Sequence, residues 1–145
     1  NEFISKEHLS ELVKKGYAML ASDGVGYTKE IRSPFDLPHP RSYGAFPRAL
    51  EIFSKETNAV PWPELLYKMT ELPSEILGFK GRGKLAEGFF ADITVFDPEA
   101  VRSVADYNNP YVFPEGIEWV LVNGKVSVER GIFNGKLAGK ILKRT

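Results

Sequence analysis

The groups able to do chemistry in this sequence gather around the stretch HPRSYGAFPR, residues 39–48, and around Asp23, which precedes it. The stretch carries an imidazole, His39, and two guanidiniums, Arg41 and Arg48, and Pro40 and Pro47 stiffen the approach to each arginine. A guanidinium presents a planar fork to a carboxylate, so either arginine could take an acidic ligand; each could equally pair with Glu51 or another acid of the chain. Asp23 closes an apolar run and opens a long loop, the place where parallel β/α architectures expose catalytic side chains. The plainer reading is an aspartate capping the turn before Gly24, and the residues alone favour it. His39 builds no metal cage by itself and reads equally as a solvent-exposed or backbone-bonded loop residue, while His8 falls on the polar side of a helix. GRGKL at 81–85 has the glycines of a phosphate loop but neither the strand before it nor the Lys-Ser/Thr after it. A carboxylate, an imidazole and a pair of guanidiniums, with no metal cluster and no nucleophile-base pair, do not make a complete enzyme.

The elements that must position these groups follow from periodicity. SKEHLSELVKKG sets Ile4, Leu9, Leu12 and Val13 on one stripe, with Ser5 as N-cap and Gly16 as stop, and predicts a short helix. YAMLAS, residues 17–22, is a continuous apolar run between Gly16 and Asp23-Gly24, which predicts a strand buried on both faces. Helix, glycine and buried strand make the αβ half of a β/α repeat. From Asp23 to Arg41 there is no periodicity, and Gly24, Gly26, Pro34, Pro38 and Pro40 mark a long loop of the kind that is functional or disordered. Tyr43, Phe46, Leu50 and Phe53 recur at helical spacing and predict a buried helix face rather than a cofactor box, with Pro47 tolerable only if the helix starts close by. VPWPELLYKMTEL predicts a further helix with Pro63 in its first turn and Leu65, Leu66, Met69 and Leu72 inward, and LPSEILGF adds a turn or two closed by Gly78. After Lys80 the period changes. ADITVFD predicts a strand ending at Asp97-Pro98, EWVLVNGKVSVERG a hairpin over 119–129 turned by Asn123-Gly124 in type I′ geometry, and GKLAGKILKRT a basic, partly ordered tail.

Composition bounds the function. With 145 residues, 43% apolar and 26% charged, the chain reads as soluble and globular, large enough to bury about two-thirds of its unfolded surface. Its 19 basic and 19 acidic residues cancel, so no global field draws it to nucleic acid or an anionic membrane. Zero cysteines exclude disulfides, thiolate chemistry and cysteine-based metal sites within the chain. NEFISKEHLS is charged from Glu2 onward and is read as carrying no signal peptide; with no apolar run long enough for a membrane span, a cytoplasmic location is the simplest expectation. A start at a residue other than Met, already leading into a helix, suggests a piece of something longer.

Several segments together resemble the C-terminal portion of the N-acyl-D-amino-acid deacylases (D-aminoacylases) of the amidohydrolase superfamily: ASDG at 21–24, HPRSYGAFPR at 39–48, KMTELPSEILGFKGRGKLAEGFFADITVFDPEAV at 68–101 and GIEWVLVNGKVSVERGIFNGKLAGKILKR at 116–144. The G-x-L-x-x-G-x-x-A-D part is common to amidohydrolases; HPR-x-Y-G-x-F-P-R is more particular to the deacylases. The resemblance implies an α/β fold class, the C-terminal piece of a metal-dependent (β/α)8 hydrolase barrel followed by strands of an attached β-sandwich. Residues 1–81 would then hold the last barrel strand (17–22), the long loop and helices, and residues 82–145 the sandwich segment with the hairpin. It further implies that Asp23 is the acid/base at the end of that strand, taking a proton from water as it attacks the acyl carbonyl and giving it to the departing amine. Ser22, Gly24, His39 and Arg41 would shape the substrate pocket. The zinc of such enzymes would be held by upstream residues absent here, so no metal site is expected in this chain, which alone would be inactive. The expected partners are the missing barrel portion or a partner subunit, or a second copy, since a strand at 17–22 without neighbours exposes apolar edges. Two other readings are a non-catalytic interaction module derived from this fold and a cyclic-amide hydrolase of the dihydroorotase or hydantoinase type.

Overall fold

A computed structural model describes residues 4–27 and 37–143; the middle of the predicted long loop, residues 28–36, lies outside them. The first helix, α1 (Lys6–Val13), starts where the sequence places it: Ser5 Oγ accepts the His8 N–H at 3.3 Å, satisfying one of the donors a helix start leaves open. The second, α2 (Arg41–Leu50), places Pro47 in its interior rather than near its start. Proline adds no N–H to the helix ladder, and the ladder widens within one turn of it into a π-helical segment, Glu51–Glu56. Thr57 closes that segment by donating its N–H (2.9 Å) and its Oγ1 hydroxyl (2.8 Å) to the Ile52 carbonyl.

The helix predicted across VPWPELLYKMTEL divides into α3 (Trp62–Met69) and α4 (Glu71–Leu77), with Thr70 non-helical at φ −130°, ψ −78°. Pro73 gives the reason: it has no N–H for the Met69 carbonyl, so the ladder restarts with the proline inside its new first turn. Gly78, left-handed at φ 74°, ends α4.

The core joins helices to sheet. Val13, Ala49, Leu50, Phe53, Val60, Leu65 and Val101 form one buried cluster, and Phe96 and Ile117 pack against it from the strands. Trp62 stacks on Phe96 with ring centres 5.8 Å apart. Phe53 is buried as its spacing predicts, whereas Phe46 is exposed.

The sheet is a four-stranded antiparallel meander in chain order: β1 (Ile93–Phe96), β2 (Ile117–Val122), β3 (Lys125–Glu129) and β4 (Ile132–Phe133). Asn123 (φ 49°) and Gly124 (φ 75°) turn β2 into β3, the pair of positive φ values that a type I′ turn needs. This turn is locked from outside. Asp92 Oδ1 accepts the Asn123 N–H (2.7 Å), Arg82 pairs with Asp92 and donates to Asn123 Oδ1 (2.5 Å), and the Arg82 guanidinium lies 4.1 Å from the Phe90 ring centre. The arginine of GRGKL is therefore a clamp on the hairpin.

Residues 17–22 correct the prediction of a strand buried on both faces. They run extended but form no ladder among the described residues, and they alternate: Ala18, Leu20 and Ser22 are partly covered, while Tyr17 (80% exposed) and Met19 (42% exposed) are bare. A strand buried on both faces needs neighbours to take its backbone groups and its second face, and the described residues supply neither. The segment is held from one side by α3. Lys68, only 1% exposed, donates its ammonium to the Lys15 carbonyl (2.7 Å) and the Ala18 carbonyl (3.4 Å), and its own carbonyl accepts the Leu20 N–H (3.0 Å). Glu64 Oε1 stands 3.6 Å from the same ammonium and balances a charge that would be costly to bury alone.

Lys68→Met keeps the aliphatic stem but takes the ammonium from the Ala18 carbonyl and leaves the Lys15 carbonyl only the Ala18 N–H, so it should lower unfolding stability by about 2 kcal/mol, within the cost of under-satisfied acceptors. Urea denaturation measures this. A loss under about 0.5 kcal/mol, the size of an ordinary surface change, would contradict the clamp.

Candidate active site

Asp23 sits where the extended segment ends. Its backbone is left-handed at φ 47°, a conformation that Asp and Asn tolerate better than most side chains, and its side chain is 84% exposed. Ser22 Oγ accepts the Gly24 N–H at 3.2 Å, which tightens the bend. Gly24 passes close to α2: a Cβ there would lie 2.9 Å from the Ser42 Cα and 3.5 Å from the Arg41 carbonyl.

The first turn of α2 then holds the chain beyond the bend residue by residue. Arg41 donates from Nε to the Asp23 carbonyl (2.9 Å) and pairs through its terminal nitrogen with Asp23 Oδ2 (2.8 Å). Ser42 Oγ accepts the Val25 N–H (3.4 Å). Tyr43 stacks on Tyr27, ring centres 6.2 Å apart and planes 16° from parallel. Three consecutive helix residues thus grip alternate residues of 23–27, as an extended chain lying across a helix start allows.

His39 anchors that turn. Its Nδ1 accepts the Arg41 N–H (3.1 Å) and its carbonyl the Ser42 N–H (3.0 Å), so it acts as the cap that Pro40 cannot be. An Nδ1 that accepts leaves the proton of the neutral ring on Nε2, which meets the Tyr107 hydroxyl at 2.9 Å. Asp106 steadies Tyr107 by accepting the N–H groups of Asn108 (2.8 Å) and Asn109 (2.7 Å). Beside these residues runs a groove of about 580 Å³, with Leu9, Ile52 and Phe53 in its walls and His39, Arg41 and Tyr107 along one end. Asp23 stands outside the groove, and Arg41 is common to both. The structure brings Ser22, Asp23, Gly24, His39 and Arg41 together at one end of the extended segment.

Arg48 takes the ion-pair role left open for it. It pairs with Glu56 (2.7 Å) and more distantly with Glu51 (3.5 Å), and Lys6 of α1 binds the other Glu56 oxygen (2.6 Å). The Lys6 hydrogen bond and then Arg48 hold the Glu56 carboxyl below its ordinary value. Ser42, Tyr107 and Lys68 were missed in the sequence reading. Ser42 and Tyr107 look like ordinary helix and loop residues, but Lys68 had a signal: it shares the buried stripe with Leu65 and Leu72 at helical spacing.

Among the described residues no group of three or more His, Cys, Asp or Glu could hold a metal ion. Asp23 alone does not make a metal site. No helix among the described residues is long and apolar enough to cross a membrane.

With this geometry in place, comparison with known proteins decides the family: residues 33–128 match the Amidohydrolase family. The chain belongs to it. This amidohydrolase chain is 37% identical over 130 residues to the D-aminoacylase of Alcaligenes xylosoxydans xylosoxydans, which covers 90% of the chain but only 25% of that relative. It superposes on a crystal structure of D-aminoacylase with a TM-score of 0.84 at 34% identity, over 97% of the chain and 28% of that protein. It also superposes on the N-acyl-D-glutamate deacylase of Bordetella bronchiseptica, complexed with zinc and a phosphonate mimic of the tetrahedral intermediate, with a TM-score of 0.74 at 33% identity, over 85% of the chain and 24% of that protein. The chain therefore spans about a quarter of the length of the relatives it matches.

Gly24→Ala should push the bend off α2 and cost about 1–3 kcal/mol, as forced overpacking does, with the Val25 amide exchanging faster than in the parent; unchanged exchange would contradict the close approach. Glu56 has a folded-state pKa below its ordinary value of 4.5, so its contribution is present above that value and is lost as pH falls through the lower, folded one. Lys6→Ala should thus destabilise the chain near neutral pH, and the gap to the parent should close under acid in denaturation measured at both pH values. A gap unchanged by acid would contradict it.

Proposed function

We propose that this chain is the C-terminal segment of a zinc-dependent N-acyl-D-amino-acid deacylase, a hydrolase of linear amides, and that Asp23 is its acid/base. The observation that carries the reading is the one-sided segment 17–22. Ala18 and Leu20 bond to Lys68 of α3 while Tyr17 and Met19 are bare, and Asp23 follows at the segment's carboxyl end on a bend held by α2. That is the disposition of a (β/α)8 strand seen without its neighbours: helix behind, interior face open, functional side chain at the carboxyl end. Likeness to D-aminoacylase over nearly the whole chain supports the same assignment.

In this reading residues 1–81 complete the barrel and residues 82–145 contribute sandwich strands, the remaining barrel comes from other polypeptide, and the zinc ligands come with it. The enzyme works in the cytoplasm, and this chain alone is inactive. Amide hydrolysis breaks the C–N bond as water oxygen bonds to the acyl carbon. The Asp23 carboxylate takes the proton that water loses and returns it to the amine nitrogen as it departs. Ser22 and Gly24 shape the bend that presents this carboxylate, and His39 and Arg41 form the adjoining wall of the substrate pocket.

The test is an assembly in which this chain supplies the C-terminal quarter of a deacylase, assayed with zinc for release of free amino acid from N-acetyl-D-amino acids. Asn keeps the left-handed bend accessible, so Asp23→Asn removes the proton acceptor and the charge that pairs with Arg41 while leaving the backbone in place. kcat should fall about 10²- to 10⁴-fold with KM little changed. Equal activity in the variant would remove Asp23 from the mechanism, and turnover confined to cyclic amides would replace the deacylase reading.

A further inference from the structure

Resting on the reading of His39 as a wall of the substrate pocket, we propose that Tyr107 is a positioning residue for substrate binding, reaching the site from the loop between β1 and β2 to hold the His39 ring. The loop is pinned before it arrives. Arg102 and Glu115 close its neck by exchanging backbone bonds (3.2 and 3.1 Å) and by an ion pair. Just ahead of the neck, Lys55 donates to the Glu99 carbonyl (3.1 Å); just beyond it, Glu51 accepts the Ser103 N–H (3.1 Å). Gly44 of α2 comes so near that a Cβ there would clash with the Ser103 side chain. On the return, Tyr111 and Phe113 meet the Tyr43 ring with centres 6.1 and 5.5 Å apart.

The loop is thus laced along the helix that builds the wall, and Tyr107 stands at its far end. Asp106 folds the backbone there by accepting two N–H groups, and Pro110 beyond is fully buried. Tyr107 itself is 72% exposed, so its burial explains nothing about its place. Both its hydroxyl and its ring meet His39: the hydroxyl lies 2.9 Å from Nε2, and the ring centres are 5.1 Å apart with planes at 75°. An imidazole on two rotatable bonds accepts the Arg41 N–H at Nδ1 only while its plane is fixed, and the hydroxyl fixes it from the opposite corner. The Arg41 N–H is one of the donors a helix start leaves open, so the ring is what satisfies it. Acting through His39, Tyr107 bears on affinity for the acyl amino acid rather than on proton transfer at Asp23.

The experiment has two arms. In the full chain, Tyr107→Phe keeps the ring and removes the hydroxyl; the Arg41 amide should then exchange about fivefold faster, the worth of one neutral hydrogen bond, while Gly44, bonded to the Pro40 carbonyl, keeps its rate. Unchanged exchange at Arg41, or equal acceleration at both amides, overturns the proposal. In the assembled deacylase, Tyr107→Phe should raise KM about three- to tenfold with kcat within about twofold. A fall in kcat at constant KM overturns it. In a His39→Asn background a side-chain oxygen still caps the helix but nothing reaches Tyr107, so the same substitution should change neither KM nor exchange; an effect of full size there overturns action through His39. An assembly that hydrolyses no N-acyl-D-amino acid would overturn the deacylase reading and this role in affinity together, whereas unchanged exchange and KM beside an active assembly would overturn the role alone.

Discussion

The buried ammonium of Lys68 is the contact on which the candidate site depends. A strand is ordinarily fixed by the strands beside it, and residues 17–22 have none among the described residues. They are held instead by the helix behind them, through carbonyls that Lys68 gathers at the end of α1 and along the extended segment. A charge with almost no solvent access is tolerable there because it finds carbonyl acceptors and the nearby Glu64 carboxylate. Position passes from Lys68 to the segment, from the segment to the bend at Ser22-Asp23-Gly24, and from the bend to the first turn of α2.

That first turn explains why charged and aromatic residues crowd into so few positions. His39 caps the helix, Arg41 holds Asp23, Ser42 holds Val25 and Tyr43 stacks on Tyr27. The stretch is both a helix start and a wall of the candidate site, because the helix start is the device that fixes the bend at Asp23. The second glycine-rich motif does comparable work far from any chemistry: Arg82, Asp92 and Asn123 lock the hairpin turn.

Much of this was legible in the sequence where the signal is local. Ser5 as a cap, Gly78 as a stop and Asn123-Gly124 as a turn each act within a few residues, and each is found in place. The sequence misleads where distant groups decide. YAMLAS has the composition of a strand buried on both faces, but burial depends on neighbours that composition cannot supply. The helix pattern through Leu65 and Leu72 is real on both sides of Thr70, yet Pro73 divides it because periodicity takes no account of a missing N–H. At the site, Asp23 was visible as a carboxylate at the end of an apolar run, while its pairing with Arg41 across the long loop is a tertiary fact that neither residue type announces.

The central claim is that the bare side of residues 17–22 is an unfinished barrel face, to be covered by the rest of a deacylase. Amide hydrogen exchange of Ala18 to Ser22, compared in the chain alone and in the assembly with the remaining barrel polypeptide, tests it most directly. The account predicts that these amides exchange rapidly in the chain alone, apart from Ala18 and Leu20, whose N–H groups are bonded to the Lys15 and Lys68 carbonyls, and become strongly protected on assembly. Exchange that is equally slow in both states, or equally fast, would contradict it.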